Sequence, residues 1–334
     1  LPASIVTVVV PTLGADDALA GCLRALDAQT FERFEVVVVD NSGTSRVHPE
    51  SGRVRVIANA HNVGFGSAVN QAIRSSDAPY VAALNDDAEA DPVWLEKLVA
   101  AAEARPRAGM FASEVRLAES GMLDSAGMLI AADGSSKQRG HGQPPENFAT
   151  LHDALCPSGS AALYRRKMLD EVGLFDEKFF LYCEDTDLGL RARRAGWECA
   201  YVAGATVRHR YSHSAGRASP LKAYYVERNR LYTAVKNLPL GMLMTAPLYA
   251  AARYLWHLVS MLEGRGKVAE FRQAGYSAAL LPFLVLRAHA SALVRMPYLI
   301  SQRRRIRASA RIGAREYRAL LAEYSIAIRQ VAAL

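Results

Sequence analysis

Cysteine is scarce and scattered. Cys22, Cys156, Cys183 and Cys199 form no C-x-x-C pair in 334 residues, which excludes a disulfide framework or a cysteine-rich zinc site and favours a reducing compartment, the cytoplasm. Long apolar runs are missing too. The longest uncharged apolar stretches, Leu238 to Ala252 and Ala274 to Leu286, have 15 and 13 residues, short of the roughly 18 to 20 that span a bilayer. Ile5 to Val10 is too short for a secretory core and stops at Pro11 as a strand does. No repeat, low-complexity tract or G-x-G-x-x-G dinucleotide fingerprint occurs. Only 22% of residues are charged against 51% hydrophobic, which excludes a disordered or fibrous chain and allows a large core.

What charge there is divides unevenly. Residues 1–219 carry 22 Lys/Arg against 28 Asp/Glu, a net −6, whereas residues 220–334 carry 18 against 5, a net +13. We therefore expect an acidic first domain over 1–219 and a basic helical region over 220–334. In the first, β-branched runs at Ile5–Val10, Glu35–Val39, Arg53–Ile57 and Tyr80–Leu84 alternate with helical periodicity, the pattern of an α/β fold with a mostly parallel sheet. Helices are expected from Asp16/Asp17, over Gly64 to Ser75, after Asp91-Pro92 and from Asp185 to Ala195, with strands over Ala161–Tyr164 and Ala200–Val207. Residues 113–150, rich in Gly, Ser and Pro, read as long loops with an antiparallel excursion facing the substrate.

In an open α/β sheet, ligands bind beyond the carboxyl ends of the strands. Three polar clusters stand there: Pro11-Thr12, Asp40-Asn41-Ser42 and Asn85-Asp86-Asp87. Asp40 suits a base or ribose donor, or else only a turn. Asp86 and Asp87 suit a hard divalent cation completed by phosphate oxygens, or else only pre-charge the next helix. Asn62-Val63-Gly64 opens a helix whose bare N–H groups fit an anion, although Gly also serves close packing. Glu184, Asp185 and Asp187 stand on the first turn of a helix that ends in arginines, an order that suits helix electrostatics and also a general base. His209 and His213 are surface or packing residues unless His209 faces Asp87.

The segments VVVPTLG, VVVVDNSG, NVGFGSAVN, ALNDDAEADPVWLE, CPSGSAALYRR, GLFDEKFFLYCEDTDLGLRARRAGW, VRHRYSHS and YYVERNRL, in this order over residues 5 to about 237, resemble the family-2 inverting glycosyltransferases of GT-A type fold, in their bacterial rhamnosyltransferase-like branch. The resemblance implies a Rossmann-like sheet flanked by helices, with the C-terminal helices as an appendage. It places Pro11, Thr12, Asp40, Asn41, Asn62, Gly64, Asn85, Asp86, Ser158 and Gly159 at a nucleotide sugar. It gives Asp87 and His209 to Mg²⁺ or Mn²⁺ on the diphosphate, Asp185 the part of catalytic base, and Glu184 a place beside the acceptor. One departure stands out: the first position of the family's D-x-D is Asn85, so the contact made by that acid is weakened or falls to Asp86.

The implied reaction moves a sugar, rhamnose by family likeness, from a dTDP- or UDP-sugar to a glycan or polyprenyl-linked acceptor. A sugar-nucleotide pyrophosphorylase would need a G-G-x-G-T-R-type loop that PTLGADDAL does not supply. A silent scaffold would have lost the acids, yet Asp87 and Asp185 are present. In the tail, Tyr249, Tyr254, Trp256 and Phe283 are interspersed with Arg253, Arg287 and Arg295, followed by Arg303-Arg304-Arg305, Arg307 and Arg311. This reads either as helices lying on the inner face of the cell membrane or as a helical cap or homo-oligomer contact. No base-reading motif accompanies the charge, so no nucleic-acid partner is expected.

Overall fold

The computed structural model describes residues 4–14, 16–47, 52–210, 218–264 and 266–333. Contacts divide the chain into two units: Leu1–Met128 with Gln138–Arg193 and Trp197–Tyr211, and Leu129–Lys137 with Arg194–Gly196 and Ser212–Leu334.

The first unit begins β1 (Val6–Thr12), α1 (Asp17–Asp27), β2 (Phe34–Asp40), β3 (Val54–Ala58), α2 (Phe65–Arg74) and β4 (Tyr80–Leu84). Each element has a local cause. Four consecutive valines make β2, buried on both faces as an internal parallel strand requires. Asp16 caps α1, its Oδ1 accepting from the N–H of Ala18 and Leu19, and Leu19, Cys22 and Leu26 then recur at helical spacing on the buried face. Next come β5 (Ala88–Ala90), α3 (Trp94–Ala104), β6 (Ala108–Leu117), β7 (Leu123–Ser125), β8 (Met128–Ile130), β9 (Ser136–Gln138), β10 (Ala161–Arg165), α4 (Arg166–Val172), α5 (Glu184–Arg194) and β11 (Glu198–His209).

The main sheet runs β3-β2-β1-β4-β10-β6-β11-β5, with β7 added on β6. Its first four strands are parallel. The expected mostly parallel sheet is mixed beyond β4, because β10 enters antiparallel to both β4 and β6 and β5 is antiparallel to β11. The chain comes back from β9 through a long connection, so β10 can run either way without a crossover helix. One apolar core lies between this sheet and α1 and α3, around Val8, Val38, Leu84, Trp94 and Leu98. Register puts Thr12 opposite Asp40, and Leu84 opposite Ala161. The chain turns from β1 to opposite sides of that strand, so the switch point falls between β1 and β4, beside Thr12 and Asn85.

β6 is ten residues long and its second half runs into the 113–150 region that reads as loops. Its polar centre disguises it: Ser113 and Glu114 are buried, but the Trp94 indole donates to Ser113 Oγ at 2.8 Å and Glu114 accepts from Tyr201, Gly204 and Thr206. Satisfied polar groups can stand inside a sheet where an alternation rule expects apolar ones.

The second unit holds α6 (Pro220–Asn237), α7 (Leu240–Leu262), α8 (Gly266–Gln273), α9 (Leu280–Val294), α10 (Met296–Ala308), α11 (Ala314–Glu323) and α12 (Ile328–Ala333). Most of the β8–β9 ladder belongs to it, Ile130 exchanging backbone hydrogen bonds with Tyr324 and Ile326. No single helix among the described residues is long and apolar enough to cross a membrane.

Candidate active site

The strand ends are tied together. Asn41 N–H donates to the Thr12 carbonyl at 2.8 Å, and Asn85 N–H to the Ser160 carbonyl at 2.9 Å. Gly159 N–H then donates to Asp185 Oδ2 at 2.8 Å. A hydrogen-bonded path therefore runs from Asn85 through Ser160 and Gly159 to the first turn of α5. Ser158 Oγ pairs with Ser160 Oγ at 3.0 Å and shapes the same loop. Pro11 stands next to Thr12 in β1, its place in the register opposite Val39.

The end of β11 completes a second path. Pairing of His209 with Ala88 sets the ring beside Asp87. His209 Nε2 is 3.1 Å from Asp87 Oδ1 and 3.3 Å from Asn85 Nδ2, while Nδ1 donates to Asp124 Oδ2 at 2.8 Å. Asp124 is buried and also takes His141 Nδ1 on Oδ1, at 3.1 Å. Burial pushes the Asp124 carboxyl up, but the two histidines outweigh it and hold it below its usual range. Burial pushes His209 down, and the Asp124 and Asp87 carboxylates outweigh that and raise it to about 9. Asp87 Oδ1 meets the ring at ion-pair distance and makes no other side-chain contact among the described residues. His213 lies outside the described residues.

Three carboxyl groups are displaced upward. Asp86 rises to about 6, first through burial and then through Asp87, against a hydrogen bond from Thr12. Glu184 rises to about 8 through burial and then its neighbour Asp185, and its Oε2 has no hydrogen-bonding partner among the described residues. Burial also raises Asp185, opposed by the hydrogen bonds from Gly159 and Thr186. Asp187 is differently placed. It pairs with Arg191 at 2.9 Å, whose guanidinium holds the carbonyls of Val172, Gly173 and Leu174, so this third acid fixes a loop.

Asp40 is fully buried, and its oxygens accept from Ser42 N–H at 2.8 Å and Val47 N–H at 3.4 Å. Burial raises it, but these hydrogen bonds win and its carboxyl lies below the usual range. The turn reading of Asp40 is therefore the one its geometry displays. Asn62 likewise turns inward, Oδ1 accepting from Gly64 N–H at 2.8 Å. Gly64 cannot be anything else: its φ is +87°, and a Cβ would sit 2.3 Å from the Phe180 carbonyl oxygen. That carbonyl accepts from Phe65 N–H, joining the start of α2 to the segment before Glu184. There Phe180, Tyr182 and Cys183 all adopt left-handed φ of 64°, 70° and 66°, a concentration of backbone strain of the kind that marks functional loops.

Asp124 and His141 escape sequence reading because neither belongs to a spaced motif. They approach His209 only through the pairing of β7 on β6 beside β11. A carboxylate in the middle of so short a strand offers no signal of its own. Among the described residues no group of three or more His, Cys, Asp or Glu side chains is arranged as a metal cage; Asp87 and His209 offer a pair.

Sheet order, a switch point lined with acids and a strained loop leading into paired carboxylates mark this end of the sheet as the candidate active site. The model of the family described as glycosyltransferase like family 2 matches residues 2–234, and the chain belongs to that family. It is a glycosyltransferase. Among its relatives is the N-acetylglucosaminyl-diphospho-decaprenol L-rhamnosyltransferase of Mycobacterium tuberculosis, 31% identical over 251 residues that cover 66% of this chain and 81% of that one. Solved structures share the GT-A fold. The mannosyltransferase PcManGT from Pyrobaculum calidifontis, in complex with GDP-Man and Mn²⁺, superposes with TM-score 0.55 at 16% identity over 96% of this chain and 86% of that one. S. aureus TarS 1–349 in complex with UDP-GlcNAc gives TM-score 0.52 at 16% identity over 96% and 91%.

Proposed function

We propose that this glycosyltransferase moves rhamnose from a nucleoside-diphosphate sugar to a hydroxyl of a polyprenyl-diphosphate-linked or related cell-surface glycan, inverting the anomeric carbon in one displacement at the inner face of the cell membrane. The observation that carries the reading is the hydrogen-bonded path that ends on Asp185, a carboxylate raised by burial yet oriented by Gly159 and Thr186. Such a group is a stronger base than a solvated aspartate and is held in one direction.

Asp185 takes the proton of the acceptor hydroxyl as its oxygen attacks. Glu184, raised to about 8, is protonated at neutral pH, so it leaves one negative charge rather than two at the acceptor. Asp87 and His209 would hold Mg²⁺ or Mn²⁺. Their fit rests on a ring fixed from behind by Asp124 and on the Asp87 oxygen that now faces Nε2; a cation entering there would take the place of the proton that the two carboxylates hold on the ring. Such a cation, when bound, neutralises the departing diphosphate. Asn85 and Asp86 lie beside that pair, and Thr12 supports Asp86. Asp40 and Asn62 act one step back: they set the 42–47 turn and the Gly64 entry to α2, while Asn41, Ser158 and Gly159 line the same rim. The relative's name, a rhamnosyltransferase acting on a diphospho-decaprenol, supports both the sugar and the lipid-linked acceptor.

The test is a panel of dTDP-, UDP- and GDP-sugars offered with a polyprenyl-diphosphate-GlcNAc acceptor and Mn²⁺. Transfer from dTDP-rhamnose with inversion is the expected result. Transfer from a different sugar only, or with retention, refutes the donor or the mechanism.

A further inference from the structure

α7 and α9 disobey the pattern of surface helices. α7 turns Ala246, Ala250 and Arg253 inward. At about 100° per residue the opposite stripe carries Leu240, Met244, Leu248, Leu255, Leu258 and Leu262, and these are 50% to 78% exposed. The helix contains no Asp, Glu or Lys. α9 repeats the arrangement: Leu284, Ala288 and Ala292 are buried, while Phe283, Leu286, Leu293 and Val294 are 64% to 80% exposed. A helix apolar on both faces belongs in a core or against lipid.

We propose that the outward stripes of α7 and α9 dock in the plane of an anionic bilayer. Charge selects this occupant. The 220–334 segment carries a net +13, so a second copy would bring like charge, whereas anionic headgroups complement it. Exposed Arg295 follows the α9 stripe directly, and Arg304, Arg305 and Arg307 are exposed on α10, where cationic side chains are drawn to anionic headgroups. Arg253 and Arg287 take no part: the first is buried against Asp133 and Glu227, the second stacks on Tyr224. With roughly 34 Å of length, α7 lies along the interface and inserts its leucines among the acyl chains. The functional sense of this surface rests on the lipid-linked acceptor proposed above, since it would keep the enzyme where such acceptors reside.

The full chain is sedimented with vesicles of phosphatidylcholine alone and of phosphatidylcholine with 30% phosphatidylglycerol, and dTDP and UDP binding are measured on the same preparations. Wild type should bind the anionic vesicles at least tenfold better than the neutral ones. Leu248→Gln/Leu255→Gln/Leu258→Gln should lose at least tenfold, and Arg304→Gln/Arg305→Gln/Arg307→Gln should lose most of the preference for anionic lipid. The second variant keeps the test decisive if the first misfolds. No vesicle binding by wild type, equal binding by either variant, or a wild-type dimer that the leucine variant dissociates without any lipid binding overturns the proposal. Nucleotide binding separates the two readings: lost vesicle binding with retained nucleotide binding removes only the docking surface, and the converse removes only the proposed donor.

Discussion

Each unit buries a cluster of opposite charges, and the two clusters differ in one respect. In the second unit, Asp133 and Glu227 face Arg230 and Arg253. Arg253 Nε meets Asp133 Oδ2 and its terminal nitrogen meets Glu227 Oε2, both at 2.7 Å. Ser135 N–H takes the other Asp133 oxygen, and Arg230 and Tyr254 take the other Glu227 oxygen. All four carboxylate oxygens are matched. In the first unit, Asp87 and Glu184 are also buried, but Asp87 Oδ1 meets only the His209 ring, at 3.1 Å, and Glu184 Oε2 has no hydrogen-bonding partner among the described residues. A closed cluster is scaffold, because every desolvated charge already has its partner. An open one leaves room for a ligand to complete it, and these two acids are the ones proposed above for metal and acceptor.

The comparison can be broken at either cluster. Asp185→Asn should lower turnover by about 10²- to 10⁴-fold while nucleotide affinity stays within about twofold, read by steady-state kinetics and calorimetry; normal turnover would remove the proposed base. Glu227→Gln should cost about 3–5 kcal/mol of stability in chemical denaturation, because it strips a charge from buried Arg230 and Arg253. A loss below about 1 kcal/mol would show that the closed cluster is no scaffold.

The open acids should behave in the opposite sense. The ordinary carboxyl of a glutamate titrates near 4.5, and folded Glu184 titrates at about 8. Between these values the folded chain keeps a proton that the unfolded chain has released, so stability falls as pH rises through that window. Glu184→Gln should remove this decline and make the protein more stable than wild type above pH 8, by up to a few kcal/mol. An unchanged pH–stability curve would contradict the raised value. The smallest effect is expected at Asp124→Ala. Loss of the group behind His209 should weaken Mn²⁺-dependent nucleotide binding about 10- to 100-fold, with metal-free nucleotide binding unchanged.

Much of this was legible in the sequence, for a reason that also sets the limit. β1 to β4, α1 and α2 declare themselves because valine runs and periodic leucines are local signals, and the acids at strand ends follow from them. Asn85, Asp87 and His209 stand side by side, and Asn85 is linked through Ser160 and Gly159 to Asp185. Three other features are not local. Asp124 reaches His209 across 85 residues, β6 hides behind buried Ser113 and Glu114, and the left-handed run at Phe180, Tyr182 and Cys183 leaves no glycine to mark it. Asp40 shows the converse, a motif residue whose side chain serves its own turn. The tail misleads in composition: Arg253 and Arg287 count toward a basic face, but one is locked in the closed cluster and the other lies on a tyrosine ring.

The central claim is that Asp87, with His209, holds a divalent cation against a diphosphate. Titration calorimetry of dTDP and UDP, with and without Mn²⁺, on wild type and Asp87→Asn tests it most directly. The account predicts that Mn²⁺ tightens one of these nucleotides at least tenfold in wild type and scarcely at all in Asp87→Asn. Equal tightening in both proteins, or none in wild type, would contradict it.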